Sequence, residues 1–357
     1  MDASTSKKIS WIQFICSIII ITDHSFDYLQ FGDNQVTFID KLIYFISQML
    51  SSSFTWIAMQ MFFVLSGYLM YRDWNDKRSI GDWYAKKIKG RIKSLVIPYF
   101  LWNGIWAIAF IASEVISGEY SADPQVLIYN LFKGIIFAQY NEIFWFMQIL
   151  IFYVIISPLF GYAMSSKYRI LYFLLCSLVA TNTIPIKQFL GGFNTIQNYY
   201  NLFFYCFGAL IAIRGGNFIN KRSSKFQANV SLLILLIILI ILRVSRGIKI
   251  LEISNYWMMI LCIVGTYSFW TIFDFTRNLK VYNFVKYSFI NYAVHKPVQQ
   301  LYNKIIAICF APSVISYIIN LYGGCLMTLI FIYIFVKVML KIVPKFLITL
   351  NGGRAIM

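Results

Sequence analysis

Charge is what this chain has least of. Only 13% of its 357 residues are charged, against about 25% in an ordinary soluble domain. With 59% hydrophobic residues and a mean hydropathy of +0.68, so little charge cannot cover a water-facing surface. A soluble globular protein is thereby excluded, and no long stretch is free of an apolar run that would leave room for a separate soluble enzyme domain. Acids are scarcer still, 14 Asp and Glu against 31 Lys and Arg, for a net charge of +17. In a soluble chain that excess would suggest nucleic acid; here it reads as basic cytoplasmic loops, and no nucleic-acid partner is expected. The six cysteines (Cys16, Cys176, Cys206, Cys262, Cys309, Cys325) lie in or beside apolar runs with no close pair at metal-ligand spacing, so they read as small core hydrophobes and no metal is expected. A Gly-rich phosphate loop, a nucleophile elbow, a zinc motif and a dinucleotide fingerprint are all missing, which argues against nucleotide or metal-dependent hydrolysis.

What is present is a succession of apolar runs. A helix needs about 20 mostly apolar residues to cross the hydrocarbon, and the sequence divides into ten such runs, near 9–29, 54–72, 94–117, 143–164, 169–189, 198–214, 228–245, 255–275, 285–308 and 313–342. The expected fold is an all-α polytopic membrane protein of about ten transmembrane helices, a single integral-membrane domain over 1–357. Two amphipathic stretches, 36–52 and 125–138, read as helices lying on or tucked under the membrane. The first run follows Lys7 and Lys8 like a signal peptide, but Asp23, His24 and Ser25 stand where a small-residue cleavage site would be, so it is expected to stay as a helix. With ten spans and an inside N-terminus, 23 of the 31 Lys and Arg fall on the cytoplasmic side, which predicts that both termini are cytoplasmic. Arg243, Arg246 and Lys249 run against that bias, as three outer cations. No internal repeat of the kind found in many transporters is detectable.

Ionisable groups inside a span are functional candidates by default, and the chain has only two histidines. His24 lies about 22 Å along the first helix from its start, in the outer half of the membrane, next to Asp23. Adjacent helical residues point about 100° apart, so Asp23 meets His24 only where the helix end unwinds; otherwise the pair ends the helix at the interface. His295, in Asn291–Pro297, reads either as an interfacial cap or as a cavity residue. Ser66-Gly67 in the second run permits close helix approach and offers a hydroxyl, and packing is the commoner use. Lys86–Ser94 is the densest basic cluster. It suits inside topology and anionic lipid, or a docking site for a phosphate-bearing donor clamped by Arg91.

Taken together these segments resemble the acyltransferase-3 family, bacterial membrane O-acyltransferases that acetylate surface glycans, over nearly the whole chain. Ile12–Ser25 is similar to the family's first helix, with its His at His24. Phe62–Met70 is similar to its Phe-Phe-x-x-Ser-Gly-x-Leu signature, and Lys87–Tyr99 to its basic segment ending in Pro-Tyr. Phe144–Met147 resembles the Trp-Phe opening of a middle helix, with Trp145 at the Trp position. Phe203–Leu210 is similar to a Gly-containing helix, and Ser288–His295 to the Ser-Phe-x-x-Tyr-x-x-His pattern. Two departures stand out. Gln13 sits where many members have Arg, and Ser94 replaces the second of two Arg three apart, of which Arg91 matches the first.

The resemblance implies an acyl-CoA donor, usually acetyl-CoA, on the cytoplasmic side, and as acceptor a hydroxyl of a glycan or lipid-linked sugar, in the cell (plasma or inner) membrane. The nucleotide would be held by Arg91 with Lys87 and Lys93, and Ser66, Tyr68 and Tyr99 would line the donor path. His295, Tyr68, Trp145 and Gln13 would face the cavity. His24 would serve as general base or carry the acyl group covalently, with Asp23 orienting it; the sequence leaves both open. Arg277 and Lys280 are the next cationic candidates for the donor. The rival from another class is a transporter or flippase of a lipid-linked sugar or small solute, with His24, Asp23 and His295 along the path. A third reading is a membrane module of a larger assembly.

Overall fold

The computed structural model describes residues 2–25, 37–74, 79–118, 123–180, 200–247, 255–311 and 313–354. Among these residues there is helix and no strand. In chain order the helices are α1 (Ala3–His24), α2 (Phe38–Gln48), α3 (Phe54–Tyr71), α4 (Ile80–Arg91), α5 (Ile97–Ile116), α6 (Pro124–Phe137), α7 (Trp145–Ile155), α8 (Ser157–Ser165), α9 (Arg169–Ala180), α10 (Tyr200–Arg214), α11 (Lys225–Gly247), α12 (Asn255–Ile272), α13 (Ser288–Cys309), α14 (Val314–Ile318), α15 (Gly324–Ile342) and α16 (Pro344–Leu350).

Their ends follow local chemistry. Asp2 caps α1, accepting from the Thr5 amide at 2.6 Å, and the Thr5 amide and hydroxyl hold its carboxyl down at a pKa of about 2. Thr37 and Asp40 form a reciprocal capping box at α2, and Ser313 and Ser316 another at α14. Such caps satisfy amides that the first helical turn leaves without partners. α6 ends at Ala138, whose left-handed φ of 53° is reached without glycine, and the chain turns 43° into the helical stretch Glu142–Ile155.

Each of the ten apolar runs falls largely on helix where it is described; 26–29, 181–189 and 198–199 lie outside the described residues, as does Lys249. Among the described residues, five helical stretches are long and apolar enough to cross a membrane: Phe38–Tyr71, Ile80–Ile116, Lys225–Leu242, Met258–Asn278 and Val314–Ile342. The bent pair Pro124–Phe137 and Glu142–Ile155 makes a sixth if it is one span. Many of their apolar side chains face outward. α11 exposes Leu232, Leu233, Leu236, Ile237, Ile240 and Ile241, a surface that water would not tolerate and lipid solvates. The protein is a multi-pass, all-helical membrane protein.

The chain groups into two compact units. The first, 1–76 with 160–193 and 197–334, is built on α1, whose buried positions Ile9, Ile12, Cys16 and Ile20 recur every three or four residues. They pack with Ile57, Ala58, Met61 and Leu65 of α3, Leu235, Ile238, Leu239 and Leu242 of α11, and Phe269 and Trp270 of α12. α3 and α10 touch through glycine on both sides: a Cβ at Gly67 would fall on the Tyr205 carbonyl, and one at Gly208 on the Val64 carbonyl. The Ser66-Gly67 signature is therefore a packing device at its glycine. A buried ionic knot closes the N-terminal end of α1. Lys8 pairs with Asp274 at 2.8 Å and stands 3.8 Å over the Trp270 ring, while Arg277 pairs with Asp274 at 2.6 Å and donates to Thr5 and to the Ile219 carbonyl.

The second unit, 77–159 with 194–196 and 335–357, holds the basic segment. α4 runs through a wider turn, Ile92–Val96, into α5. Tyr99 ties α5 to α6 by donating to the Ile136 carbonyl at 2.7 Å and accepts from Gln148 of α7 at 2.7 Å, and Trp102 donates to the Leu350 carbonyl of α16 at 3.2 Å.

Candidate active site

The two histidines meet. α1 and α13 run side by side in the same direction: Asn291 donates to Ser17 Oγ at 3.3 Å, and two turns on Gln299 donates to the Ile21 carbonyl at 2.6 Å and to Ser25 Oγ at 2.7 Å. Between these ties the rings of His24 and His295 lie 5.4 Å apart, tilted by 33°. The close start of α15 depends on Gly324, where a Cβ would stand 3.1 Å from Ser25 Cβ.

His295 is wholly buried inside the 22-residue α13, so the interfacial-cap reading does not hold. Its Nδ1 lies 3.0 Å from the Asn291 carbonyl and 2.8 Å from that of Tyr292. Carbonyls only accept, so Nδ1 carries the proton and Nε2 the lone pair. That Nε2 has no hydrogen-bond partner among the described residues. Two residues on, Pro297 removes one rung of the helix ladder beside the ring.

Other acceptors are in the same condition. Gln299 Oε1, Asn303 Oδ1 and, on the turn Ile319–Gly323, Asn320 Oδ1 are buried and have no hydrogen-bond partner among the described residues. For Gln299 the orientation is fixed, because only its amide nitrogen can donate to the Ile21 carbonyl. Buried acceptors without donors among the described residues thus recur along α13. Asn291, His295, Gln299 and Asn303 recur every fourth residue along one face of α13. The sequence carries this stripe as a polar period of four, in which only His295 is ionisable.

The remaining expected residues are distributed differently. α1 stays helical through His24, so Asp23 projects about 100° away from it, and the ring next to His24 is His295. Gln13 and Ser66 are half-buried. Tyr68 lines an apolar cavity of about 260 Å³ with Met61, Leu65, Phe207, Tyr267 and Trp270. Tyr99 has its hydroxyl engaged both as donor and as acceptor, which makes it a tie between helices. Trp145 is half-buried at the start of α7, edge-on to Phe146. Arg277 cannot serve as a reserve donor site, since the ionic knot holds it at 2% exposure.

Arg91 and Lys87 are half-buried and Lys93 is exposed, with Lys87 5.9 Å over the Trp83 ring. These cations belong to the second unit, and His24 and His295 to the first. Sequence reasoning missed one neighbour of the basic segment: Arg354, on the turn after α16, whose Nη1 stands with the Ser94 carbonyl around Gly352. No motif marked it, because its partner segment is some 260 residues away in the chain.

No curated protein and no solved structure matches this chain. A family model described as an acyltransferase domain matches residues 6–337, a stretch that takes in most of α1, both histidines and the basic segment, and the chain belongs to that acyltransferase-3 family.

Proposed function

We propose that the protein is an O-acyltransferase that moves an acetyl group from cytoplasmic acetyl-CoA to a hydroxyl of a cell-surface or exported polysaccharide, in the cell (inner) membrane. In this reading ten spans cross the bilayer and both termini are cytoplasmic. The observation that carries it is the meeting of His24 and His295, with Nε2 of His295 a buried acceptor unpaired among the described residues. An imidazole in that tautomer is a general base for a hydroxyl. The sugar O–H bond breaks and its proton passes to Nε2. The oxygen then bonds to the acyl carbon, the C–S bond breaks, and the thiolate leaves and takes up the proton as CoA thiol. His24, which is less enclosed than His295, faces the acyl group, either positioning the thioester or taking the acyl group onto its ring before the sugar does. Arg91, Lys87 and Lys93 hold the donor phosphates by charge and, for Arg91, by a bidentate fork.

The test is transfer of labelled acetyl from acetyl-CoA to de-O-acetylated polysaccharide by the purified protein in lipid nanodiscs. Acceptor-dependent release of CoA is expected, and its loss in His24→Ala. Normal surface-glycan acetylation by a well-expressed His24→Ala variant would remove the centre of this mechanism and favour a transporter. For topology, a cysteine placed at position 89 should resist an impermeant thiol reagent applied outside intact cells; labelling there would reverse the orientation.

A further inference from the structure

The apolar cavity of about 260 Å³ lies within the first unit, between α3, α10 and α12. Its lining is almost wholly hydrocarbon and aromatic, and the hydroxyl of Thr266, which also lines it, is spent on the Ile263 carbonyl at 2.9 Å. A dry apolar cavity of about 150 Å³ already takes up benzene, so this one suits a length of hydrocarbon. It is not sealed from outside: two of its lining residues, Tyr267 on α12 and Phe218 on the turn after α10, are 49% and 43% exposed. Among the described residues, none of α1 or α13 lines it. Its Trp270 ring lies under Lys8, 16 positions before His24 and so about 24 Å along α1 from it. The cavity is therefore separate from the histidine pair.

Beside the cavity the chain leaves α10 in a tight turn. A Cβ at Gly215 would stand 2.5 Å from the Ile211 carbonyl, and Gly216 holds a left-handed φ of +51° that glycine adopts without strain. The ionic knot grips this turn by its backbone, with Arg277 donating to the Ile219 carbonyl at 2.8 Å and to that of Lys221 at 3.3 Å. The turn's side chains are left to line a second, open recess, formed by Asn217, Phe218, Asn220 and Lys221. Phe218 lines both recess and cavity, so the two adjoin across one ring. The Thr5 hydroxyl donates to Oδ1 of Asn220 at 3.1 Å, which leaves the Asn220 amide nitrogen as a donor. Lys221 is exposed, and among the described residues it makes no ion pair. Charge here is of one sign: 143–251 contains no Asp or Glu, while Lys221, Arg222 and Lys225 cluster after the turn. The carboxylate behind it, Asp274, is shared by two cations, Lys8 and Arg277.

We propose that the cavity and the adjoining recess bind one anionic phospholipid, with part of an acyl chain in the cavity and the phosphate against Lys221 and the Asn220 amide. A soluble phosphate would leave the apolar cavity empty, and a neutral lipid would leave the cations unanswered. An anionic lipid supplies hydrocarbon and negative charge in one molecule, and cations beside a membrane attract such headgroups. The inference does not rest on the transfer chemistry proposed above.

The test offers phosphatidylglycerol and phosphatidylcholine of identical chains to the full-length protein in mild detergent, and native mass spectrometry counts the lipid retained. Wild type should hold phosphatidylglycerol in preference to phosphatidylcholine. Lys221→Gln changes an exposed side chain and should reduce that preference about 5-fold, the worth of one cation beside an anionic headgroup. Val264→Phe puts a ring into the cavity and should release the bound lipid altogether. Thermal unfolding of each variant is followed in parallel. Where Val264→Phe melts early, Trp270→Phe decides: phosphatidylglycerol brominated in its chains should quench a component of wild-type tryptophan fluorescence that Trp270→Phe lacks. Equal retention of the two lipids by wild type would overturn the proposal, since the site would then read the chain alone. So would a wild-type preference in Lys221→Gln, retained lipid in folded Val264→Phe, or quenching indifferent to Trp270.

Discussion

Replacing His295 is the sharpest perturbation of the histidine pair. Were His295 an interfacial cap, its loss would cost little; enclosed at 0% exposure with Nδ1 fixed by two carbonyls, it should cost as much as the loss of His24. General acid–base catalysis is worth about 10²–10⁴-fold, which is about 3–5.5 kcal/mol of barrier. His295→Ala also empties a buried volume, so a stability loss of order 2 kcal/mol or more accompanies it, and the activity loss must be read on protein shown to be folded. His295→Gln separates the two effects. It fills most of the space and keeps an amide donor for the carbonyls, but it cannot take a proton at neutral pH. The assay is acetyl transfer at saturating donor and acceptor, with thermal unfolding of each variant in the same detergent. His295→Gln should unfold close to wild type and yet lose at least 10²-fold in kcat. Because adjacent catalytic groups act as a unit, the double variant with His24→Ala should be little worse than either single one. A folded His295→Gln protein that retains more than a tenth of wild-type kcat, or losses that multiply in the double variant, would refute the pairing.

Three further outcomes can be checked. Arg91→Ala should raise the donor KM and leave kcat nearly unchanged if its binding energy is used equally before and at the transition state, and Arg91→Lys should recover part of it; a donor KM equal to wild type moves the nucleotide elsewhere. Asp274→Asn leaves Lys8 and Arg277, both essentially unexposed, without their shared carboxylate. That should destabilise the protein by about 3–5 kcal/mol, and an unfolding midpoint equal to wild type would show the knot to be dispensable. Gly67→Ala drives a Cβ into the Tyr205 carbonyl and should cost about 1–3 kcal/mol through separation of α3 from α10, so a normal melting temperature would contradict the close packing.

The sequence by itself determined a good deal. Scarce charge and recurring apolar runs dictate helices in lipid, because hydrocarbon leaves the backbone no partners but its own. The ordered motifs from Ile12 to His295 carry the family, since they are short-range patterns that survive as text. His24 and the Arg91 cluster were legible because an imidazole among isoleucines and a run of cations are conspicuous by composition. Only the tertiary structure decided which of these residues meet. His24 and His295 are 271 positions apart, and nothing local in either segment says that α1 and α13 run in parallel; the ties from Asn291 to Ser17 and from Gln299 to Ile21 do. The same holds for Tyr99, whose hydroxyl joins α5 to α6 and to α7. Arg354, too, is an unremarkable tail residue until two left-handed glycines bring it to Ser94. Composition and period fix what a segment is, whereas the partner of a buried polar atom is set by long-range packing, which one segment cannot encode.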